Sequence, residues 1–501
     1  MTSNLKLRQQ RGGIPLGINL QGNHLSLRFN NTRSSRGGIP ERRNRLGRVA
    51  ILTLLAIPLV VWYSLNHIYA NNHLDRRPVV ETIPHIEKEH QQTSQGLDQQ
   101  QEQVKEEEHI RFDTPLLLFT CRRHEYLNRT LSAIYKYHPM LGSNSHPSIF
   151  STQHVLAGAP IIVSQDGQDT SVTAVIQYYK ILFQSIHVPV FHIQHIHDDN
   201  HHQQQGINLL ENPYQALSQH YAWALEQVFS GKVYPSTNGE EEDVDLHFNT
   251  VGIIEPLPKR VIILEEDIDI AIDFFSYMSA TASILDQDNA STLLAVSAYN
   301  DNGKKNLVGD PYRLVRSDFF PGLGWMMHAS LWKEIQPWPK AYWDDWLREP
   351  SQRKGRHVIR PEISRTFHFG TQGGASSNQY SHHLDTILLN TEDIDWNEQD
   401  LSYLRNKNGY LDQYKRDIAS ARPIRREEEE TNDQLVARVM TLLHTDPVKI
   451  YYQTWNDFVQ LAHLFDLMDN EKAGVPRTAL DGIVECRPHG PGGNLLYLVP
   501  S

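Results

Sequence analysis

The sequence predicts an α/β protein built around a largely parallel sheet. Short apolar runs alternate with segments whose apolar residues recur at helical spacing. One of those runs, Val261–Leu264, passes directly into three carboxylates, Glu265, Glu266 and Asp267. Strands covered on both faces read as continuous β-favouring runs, and open α/β sheets bind ligands beyond the carboxyl ends of their strands.

The elements follow in order from Thr114. Leu116–Thr120 predicts a strand and Leu127–Tyr137 a helix. Pro160–Val163 predicts a second strand that ends at Ser164-Gln165-Asp166, and Val188–His192 a third. Asn212-Pro213 combines a capping side chain with proline at the first helical position, so a helix should run from there through Phe229. The acid-tipped strand follows at 261–264; Asp273 should cap another helix, and Leu293–Ala298 should form a further strand. Residues 194–206, rich in histidine, and 235–258, with Glu240 to Asp243, read as insertions; a solvated loop or a metal site suits the first, a surface loop the second.

The chain has 501 residues and a net charge of −12, which argues against nucleic acid as a partner. Its two cysteines, Cys121 and Cys486, exclude a disulfide scaffold. Charge is unevenly placed: residues 1–48 carry ten Lys/Arg and one acid, Glu41. The apolar block Val49–Leu65 follows, with Arg42, Arg43, Arg45 and Arg48 before it and Trp62, Tyr63 and Tyr69 towards its far side. That pattern predicts a cytoplasmic basic tail (1–48) and a single-pass signal anchor (49–69) with the C-terminal bulk in the lumen; the alternative is a cleaved signal peptide. Residues 70–112, rich in Gln, Glu and His, predict a disordered stem. Two glycosylation sequons, at Asn128 and Asn289, fit a lumenal head.

Two clusters carry chemistry. The acidic triplet is costly at a strand tip unless a cation compensates it, and hard oxygen ligands suit Mg²⁺ or Mn²⁺, which commonly hold a nucleotide diphosphate; a solvated acidic loop is the other reading. The second cluster is Trp343-Asp344-Asp345-Trp346. Its tryptophans offer a wall for a sugar ring, and a partly desolvated acid between them suits general-base work. A helix start with acids in its first turn fits the same residues. The basic run Arg353-Lys354-Gly355-Arg356 would meet phosphates or be solvated.

The stretch VIILEEDIDIAIDFF resembles the metal-site segment of the N-acetylglucosaminyltransferase I family, glycosyltransferase family 13. The likeness continues through SAYNDNGKKN (297–306), FFPGLGWM (319–326) and WPKAYWDDWLREPSQRKGRHVIRPEISRTFHFG (338–370), with weaker similarity from about Thr114 to the end. It implies a GT-A fold, a Rossmann-like nucleotide-sugar domain (113–370) followed by a donor-closing loop and a smaller C-terminal α+β domain (371–501). It implies Mn²⁺-dependent, inverting transfer of GlcNAc from UDP-GlcNAc in β1,2 linkage to the α1,3-linked mannose of an N-glycan, in the Golgi membrane.

By motif, the resemblance makes Asp267 the metal ligand and Glu265 and Glu266 donor-binding acids; the family often has aspartate at the position of Glu266, and its O-mannose relatives have glutamate. Cys121 and Arg123 match a loop contacting uridine and phosphate, Asp166 a uracil-side contact, and His220 a further nucleotide-site residue. His220 also reads as a core histidine on an amphipathic helix. The family cysteine that pairs with the position of Cys121 is replaced by Gly167, which implies a free thiol. Asp344 matches the catalytic base, with Asp345 the fallback, Arg356 a donor-side arginine, and Ser376 a phosphate-touching serine in the mobile loop 371–384. Competing readings are transfer to O-linked mannose on proteins and a non-catalytic, membrane-anchored lectin-like homologue. A glycosidase would not need the metal triplet.

Overall fold

A computed structural model describes residues 113–141, 159–196, 212–233, 257–371 and 381–501. These lie within one compact unit, residues 100–501. The expected tail, anchor and stem, most of both insertions, and Ser376 fall outside the described residues. Among the described residues no helix is long and apolar enough to cross a membrane.

The first half alternates as expected: β1 (Leu116–Thr120), α1 (His124–Tyr137), β2 (Ile161–Asp166), α2 (Thr170–Gln184), β3 (Val190–His195), α3 (Pro213–Phe229), β4 (Arg260–Glu265), β5 (Ile268–Ile270), α4 (Phe274–Asp288) and β6 (Leu293–Ser297). Next come β7 (Leu314–Ser317), β8 (Trp325–His328), α5 (Ala329–Glu334), α6 (Trp343–Arg348), α7 (Pro350–Arg353), β9 (His357–Pro361), β10 (Thr366–His368) and α8 (Ser381–Leu384). The chain closes with α9 (Lys407–Ser420), β11 (Arg422–Ile424), α10 (Asn432–Leu442), β12 (Val448–Tyr452), α11 (Trp455–Leu464), β13 (Glu471–Lys472), β14 (Val475–Pro476), β15 (Val484–Cys486) and β16 (Leu496–Pro500).

Eight strands form one sheet in the order β3-β2-β1-β4-β8-β6-β9-β7. The pairs from β3 to β4 are parallel; β8 runs antiparallel to both β4 and β6. The chain winds outwards from β1 to β3 and then returns to the other side of β1 as β4. This reversal opens a crevice at the carboxyl ends of β1 and β4, where an open α/β sheet takes its ligand. Both faces are covered. Leu116, Leu118, Ile262 and Leu264 pack under α1 and α4 residues such as Leu127, Leu131 and Phe274, while Leu117, Ile263 and Phe119 face Tyr221, Ala224 and Leu225 of α3.

Local chemistry explains the helix starts. Asn212 accepts from the amides of Tyr214 and Gln215 (3.1 and 3.3 Å), with Pro213 at the first turn, as the sequence predicts. Asp169 does the same for α2, which sequence reasoning missed. Asp273 precedes α4 but does not cap it. Its carboxylate is drawn into the core, where Oδ2 accepts from Arg365 Nε (3.0 Å) and Trp396 Nε1 (2.8 Å), because an ion pair satisfies two buried donors that an exposed cap would leave bare.

A second sheet, β11-β12-β16-β15, stands on its own core of Leu435, Val439, Val448, Phe458, Leu496 and Leu498. Glu362, just after β9, ties it to the first. Glu362 accepts from the amides of Gly309 and Asp310 (2.8 and 3.0 Å) and from Arg487 (2.9 and 3.1 Å), and pairs with Arg313, which also grips Glu485 of β15 at 2.6 Å. Burial alone would raise the Glu362 pKa, but Arg487, Arg313 and the amides outweigh it and hold the carboxyl below its ordinary range. Glu362→Ala removes the partner shared by the partly exposed Arg487 and Arg313 and should cost about 1.5–3 kcal/mol in urea denaturation at neutral pH. A depressed folded pKa means the contribution is present above the ordinary carboxyl range and lost as pH falls through the folded value. The gap between wild type and variant should therefore shrink on acidification below about pH 4.

Candidate active site

The triplet sits where β4 ends. Glu265 closes the strand, and Glu266 and Asp267 form the turn into β5. Glu266 and Asp267 are buried. Several elements converge on these carboxylates. The β1–α1 loop reaches across the crevice: Arg123 Nε donates to Glu266 (2.7 Å), and its other arm lies 2.8 Å from Asp267 Oδ2. Glu266 also accepts from the Cys121 amide (3.1 Å) and the Thr120 hydroxyl. Glu266 thus fixes the β1–α1 loop. From α1, Thr130 Oγ1 donates to the Glu266 carbonyl (2.7 Å) and Arg129 Nε to Asp269 (3.0 Å).

The antiparallel ladder of β5 and β10 pairs Ile268 with His368 and so carries an imidazole to the tip. His368 Nε2 lies 3.4 Å from Asp267 Oδ2, and the Phe369 amide donates to the Asp267 carbonyl (2.9 Å). Burial raises and these partners lower the Asp267 pKa; the partners win, and the carboxyl lies below its usual range. His368 shows the mirror effect: burial lowers its pKa, but the Asp267 hydrogen bond and charge raise it further. Among the described residues Glu265 forms no direct ion pair. Burial, then the charge of Asp267, pushes it up to about 7, and the Tyr221 hydroxyl donates to it at 2.7 Å.

Gly370 seals this site from below. A Cβ there would meet Asp267 Oδ2 at 2.2 Å, so only glycine lets the chain pass this close to the carboxylate. Of the expected mobile loop 371–384, residues 372–380 lie outside the described residues.

Tyr221 links the triplet to the second cluster. Its ring stacks on Phe119 of β1 (3.9 Å) and on Trp343 of α6 (4.4 Å); Trp343 continues onto Trp325 (5.7 Å) and Trp338 (5.9 Å). Burial and then the charges of Glu265, Asp344 and Asp267 drive the Tyr221 phenol well above its ordinary pKa, so both acidic clusters reach one side chain. α6 starts as the dipole argument expects, with Asp344 and Asp345 in its first turn. Arg348, buried, donates to Asp344 Oδ2 (2.7 Å), Asp345 Oδ1 (2.8 Å) and the Phe320 carbonyl (2.9 Å). The Asp344 side chain is 40% exposed, partly desolvated as the sequence suggests, and it is ion-paired to Arg348. Trp343 is 6% exposed and spends both faces on neighbours, so it is no open wall for a sugar.

The remaining predicted residues divide. Asp166, at the end of β2, holds His195 Nδ1 at 2.9 Å. His220 is buried beside it, 2.8 Å from Ser164 Oγ and stacked on His195 at 5.5 Å, so it supports this edge from the core. His195 belongs to β3 and not to the loop expected from 194 onwards. Cys121 is a free thiol, partly exposed, with its pKa raised to about 11 by burial and then by Asp166 and Glu266. Gly167 has φ +86°, a conformation that glycine adopts without strain and cysteine would not.

Arg356 corrects a prediction. It precedes β9, which runs parallel to β6, so it lies at the amino ends of the strands, opposite the acidic tip. Glu334 pairs there with both Arg356 and Lys354, and Arg353 pairs with Asp318 (2.6 Å). The cation beside the triplet is Arg123. Sequence reasoning also missed His368, Arg348 and Lys472. The first two stand in the FHFG and WDDWLR stretches already singled out, but strand register and helix phase, which decide their contacts, are tertiary facts.

Among the described residues no three His, Cys, Asp or Glu side chains form a metal cage. A single carboxylate nevertheless fits a cation. Asp267 Oδ1 is buried without a hydrogen-bond partner while Oδ2 is occupied, and a bare buried carboxylate oxygen is costly unless a ligand completes it.

Fold and site define an α/β protein with an acidic, arginine-clamped cleft at the switch point of its sheet. Residues 79–251 and 256–501 match the GNT-I family, and the chain belongs to it. It is 36% identical over 373 residues, 74% of this chain and 71% of the relative, to the alpha-1,3-mannosyl-glycoprotein 2-beta-N-acetylglucosaminyltransferase of Arabidopsis thaliana. Among solved structures, a mannosyltransferase from Pyrobaculum calidifontis in complex with GDP-Man and Mn²⁺ aligns over 50% of this chain and 54% of its own at 11% identity; its TM-score of 0.28 carries no argument.

Lys472 of β13 donates to Asp345 Oδ2 (2.9 Å) and so braces α6 from the C-terminal half. Burial raises the Asp345 pKa, but Lys472 and Arg348 outweigh it and hold it below the usual range. In Lys472→Met the Asp345 carboxyl should titrate at higher pH, read by carbon-detected NMR; an unmoved titration would mean the contact does not form in solution.

Proposed function

We propose that the chain is an inverting, Mn²⁺-dependent glycosyltransferase of GT-A fold. It moves GlcNAc from UDP-GlcNAc in β1,2 linkage onto the α1,3-linked mannose of an N-glycan. Family membership and the name of the Arabidopsis relative support the reaction. The observation that supports the site assignment is Tyr221, which donates to Glu265 and stacks on Trp343, the residue before Asp344.

In this reading Asp267 would hold the metal, and Arg123 would meet the diphosphate in place of the distant Arg356. The bound metal supplies Lewis-acid neutralisation of charge on the departing nucleotide. Asp166 lies at the uracil side, with His195 and His220 behind it. Asp344, held by Arg348, takes the proton of the mannose 2-hydroxyl as that oxygen attacks the anomeric carbon opposite UDP; such base catalysis typically supplies about 10²–10⁴-fold. With one base and no carboxylate nucleophile, displacement is single and the α-linked donor gives a β-linked product. The loop 371–384, with Ser376, closes over the donor and excludes water.

The same reading makes residues 1–48 a cytoplasmic tail, 49–69 a signal anchor, 70–112 a stem, 113–370 the nucleotide-sugar domain and 371–501 the loop and C-terminal domain, in a type II protein of the Golgi membrane. Transfer to O-linked mannose draws on Glu266, which matches the triplet of those relatives. The full chain, offered UDP-GlcNAc, Mn²⁺ and either a five-mannose N-glycan or an O-mannosyl peptide, should glycosylate the N-glycan.

Asp344→Asn should bind UDP-GlcNAc as wild type does and lose about 10²-fold or more in transfer rate; near-wild-type turnover would place the base elsewhere. Calorimetry should show that Asp267→Ala, and Gly370→Ala through its collision with Asp267, abolish the Mn²⁺-dependent part of UDP affinity. Unchanged affinity in Asp267→Ala would contradict the metal assignment.

A further inference from the structure

We propose that Tyr342, stacked on Tyr214, is the platform that receives a pyranose ring of the acceptor glycan. The inference rests on the reaction proposed above and assigns it a binding residue. Of the two tryptophans expected to form a wall, Trp343 is enclosed by Tyr221, Trp325 and Trp338, and Trp346 is partly buried with its ring edge to face with Trp338. Tyr342, the neighbour of Trp343, is the opposite case. It is 49% exposed, although large aromatic side chains gain most by burial, and it stands two residues before Asp344, at the start of the same helix.

Two features show that this exposure is built. Tyr342 has φ 52° and ψ 47°, a left-handed conformation that is unfavourable for a bulky side chain and persists only where the surroundings enforce it. Its ring also lies on that of Tyr214, with centroids 4.6 Å apart and planes 28° from parallel. Each ring stands on an anchored backbone. The Tyr214 amide donates to the Asn212 cap (3.1 Å), and the Tyr342 carbonyl accepts from the Trp346 amide (3.0 Å). The left-handed turn sends the chain at Tyr342 outwards and at Trp343 inwards, so one ring faces solvent and the next fixes α6 in the core.

A sugar is the ligand that this chemistry suits. One face of a mannopyranose is lined by C–H groups and packs on an aromatic ring; its rim of hydroxyls needs polar partners, which the two phenol oxygens and the carboxylates of α6 offer. A ring seated here lies at the start of the helix that carries the base which must reach the acceptor hydroxyl. The platform binds substrate and takes no part in proton transfer, so its loss should appear in acceptor KM and leave donor affinity alone.

The test compares Tyr342→Ala, Tyr342→Gly and Tyr342→Phe in the full-length chain, with thermal melting to confirm folding. Alanine and glycine should both raise KM for a mannose-terminated glycan on the order of tenfold, the scale of one stacked aromatic contact. Calorimetric UDP-GlcNAc affinity should stay at the wild-type value, and phenylalanine should retain most of the acceptor affinity. Glycine tolerates the left-handed backbone. A wild-type KM in Tyr342→Gly beside a defect in Tyr342→Ala would show that the backbone matters and the ring does not, and would overturn the proposal. So would an unchanged KM in both, or a parallel fall in donor affinity. Should the wild-type chain transfer to no mannose acceptor, the reaction reading fails; saturation-transfer NMR with the free glycan then decides the platform, which predicts contact in wild type and its loss in Tyr342→Ala.

Discussion

Three consecutive carboxylates at the end of a buried strand repel one another and have lost most of their water, so the strand tip is stable only if other parts of the chain supply compensation. Arg123 does most of this, with one arm on Glu266 and the other on Asp267. Its own pKa follows from the same contacts: burial opposes its charge, while Asp267 and Glu266 raise the pKa above its ordinary value. Much of the surrounding architecture serves to bring compensation to this point. The β1–α1 loop delivers Arg123 and the Cys121 amide, the β5–β10 ladder delivers His368, and α3 delivers the Tyr221 hydroxyl. The glycine at 370 removes the side chain that would push Asp267 out of this arrangement.

The compensation is deliberately incomplete in one place. Asp267 keeps a buried oxygen without a partner, and Glu265 faces a phenol and, among the described residues, forms no direct ion pair. Perturbed carboxylates with an unmet demand for positive charge, lying at a sheet's switch point, are where a ligand contributes what the protein withholds. From there the aromatic column Phe119–Tyr221–Trp343 carries position to α6, so the distance from strand tip to Asp344 is set by stacked rings with little freedom to slide. Arg348 and Lys472 then fix the two aspartates on the far end of that column.

Much of the fold was legible in the sequence because it rests on local signals. β1 matches its expected limits, and α3 starts at the Asn212-Pro213 signal and ends at Phe229 as read. α2 was missed although Asp169 caps it well, since its exposed face carries Ala174, Tyr178 and Ile181 and blurs the helical period. The site was legible in its acids, because Asp267 and Asp344 stand in runs of rare composition. It was legible only in part in its cations, since Arg123 was singled out with its loop but so was Arg356. Arg356 and Arg123 are both basic residues in matched motifs, and only the direction of β9 shows that Arg356 begins its strand at the wrong end of the sheet. His368 depends on strand register and Arg348 on helix phase. Trp343 shows the same limit: a tryptophan beside an acid looks like a sugar wall until packing encloses it, and the role passes to the exposed tyrosine before it.

The central claim is that Asp267 offers its unpartnered oxygen to one divalent cation beside Arg123. Anomalous diffraction from crystals of the protein soaked with MnCl₂ and UDP tests it directly. A single manganese peak within bonding distance of Asp267 Oδ1, in a cleft that also contains the Asp344 carboxylate, is the predicted result. A peak on other ligands, or UDP bound with no metal at this carboxylate, would contradict the account.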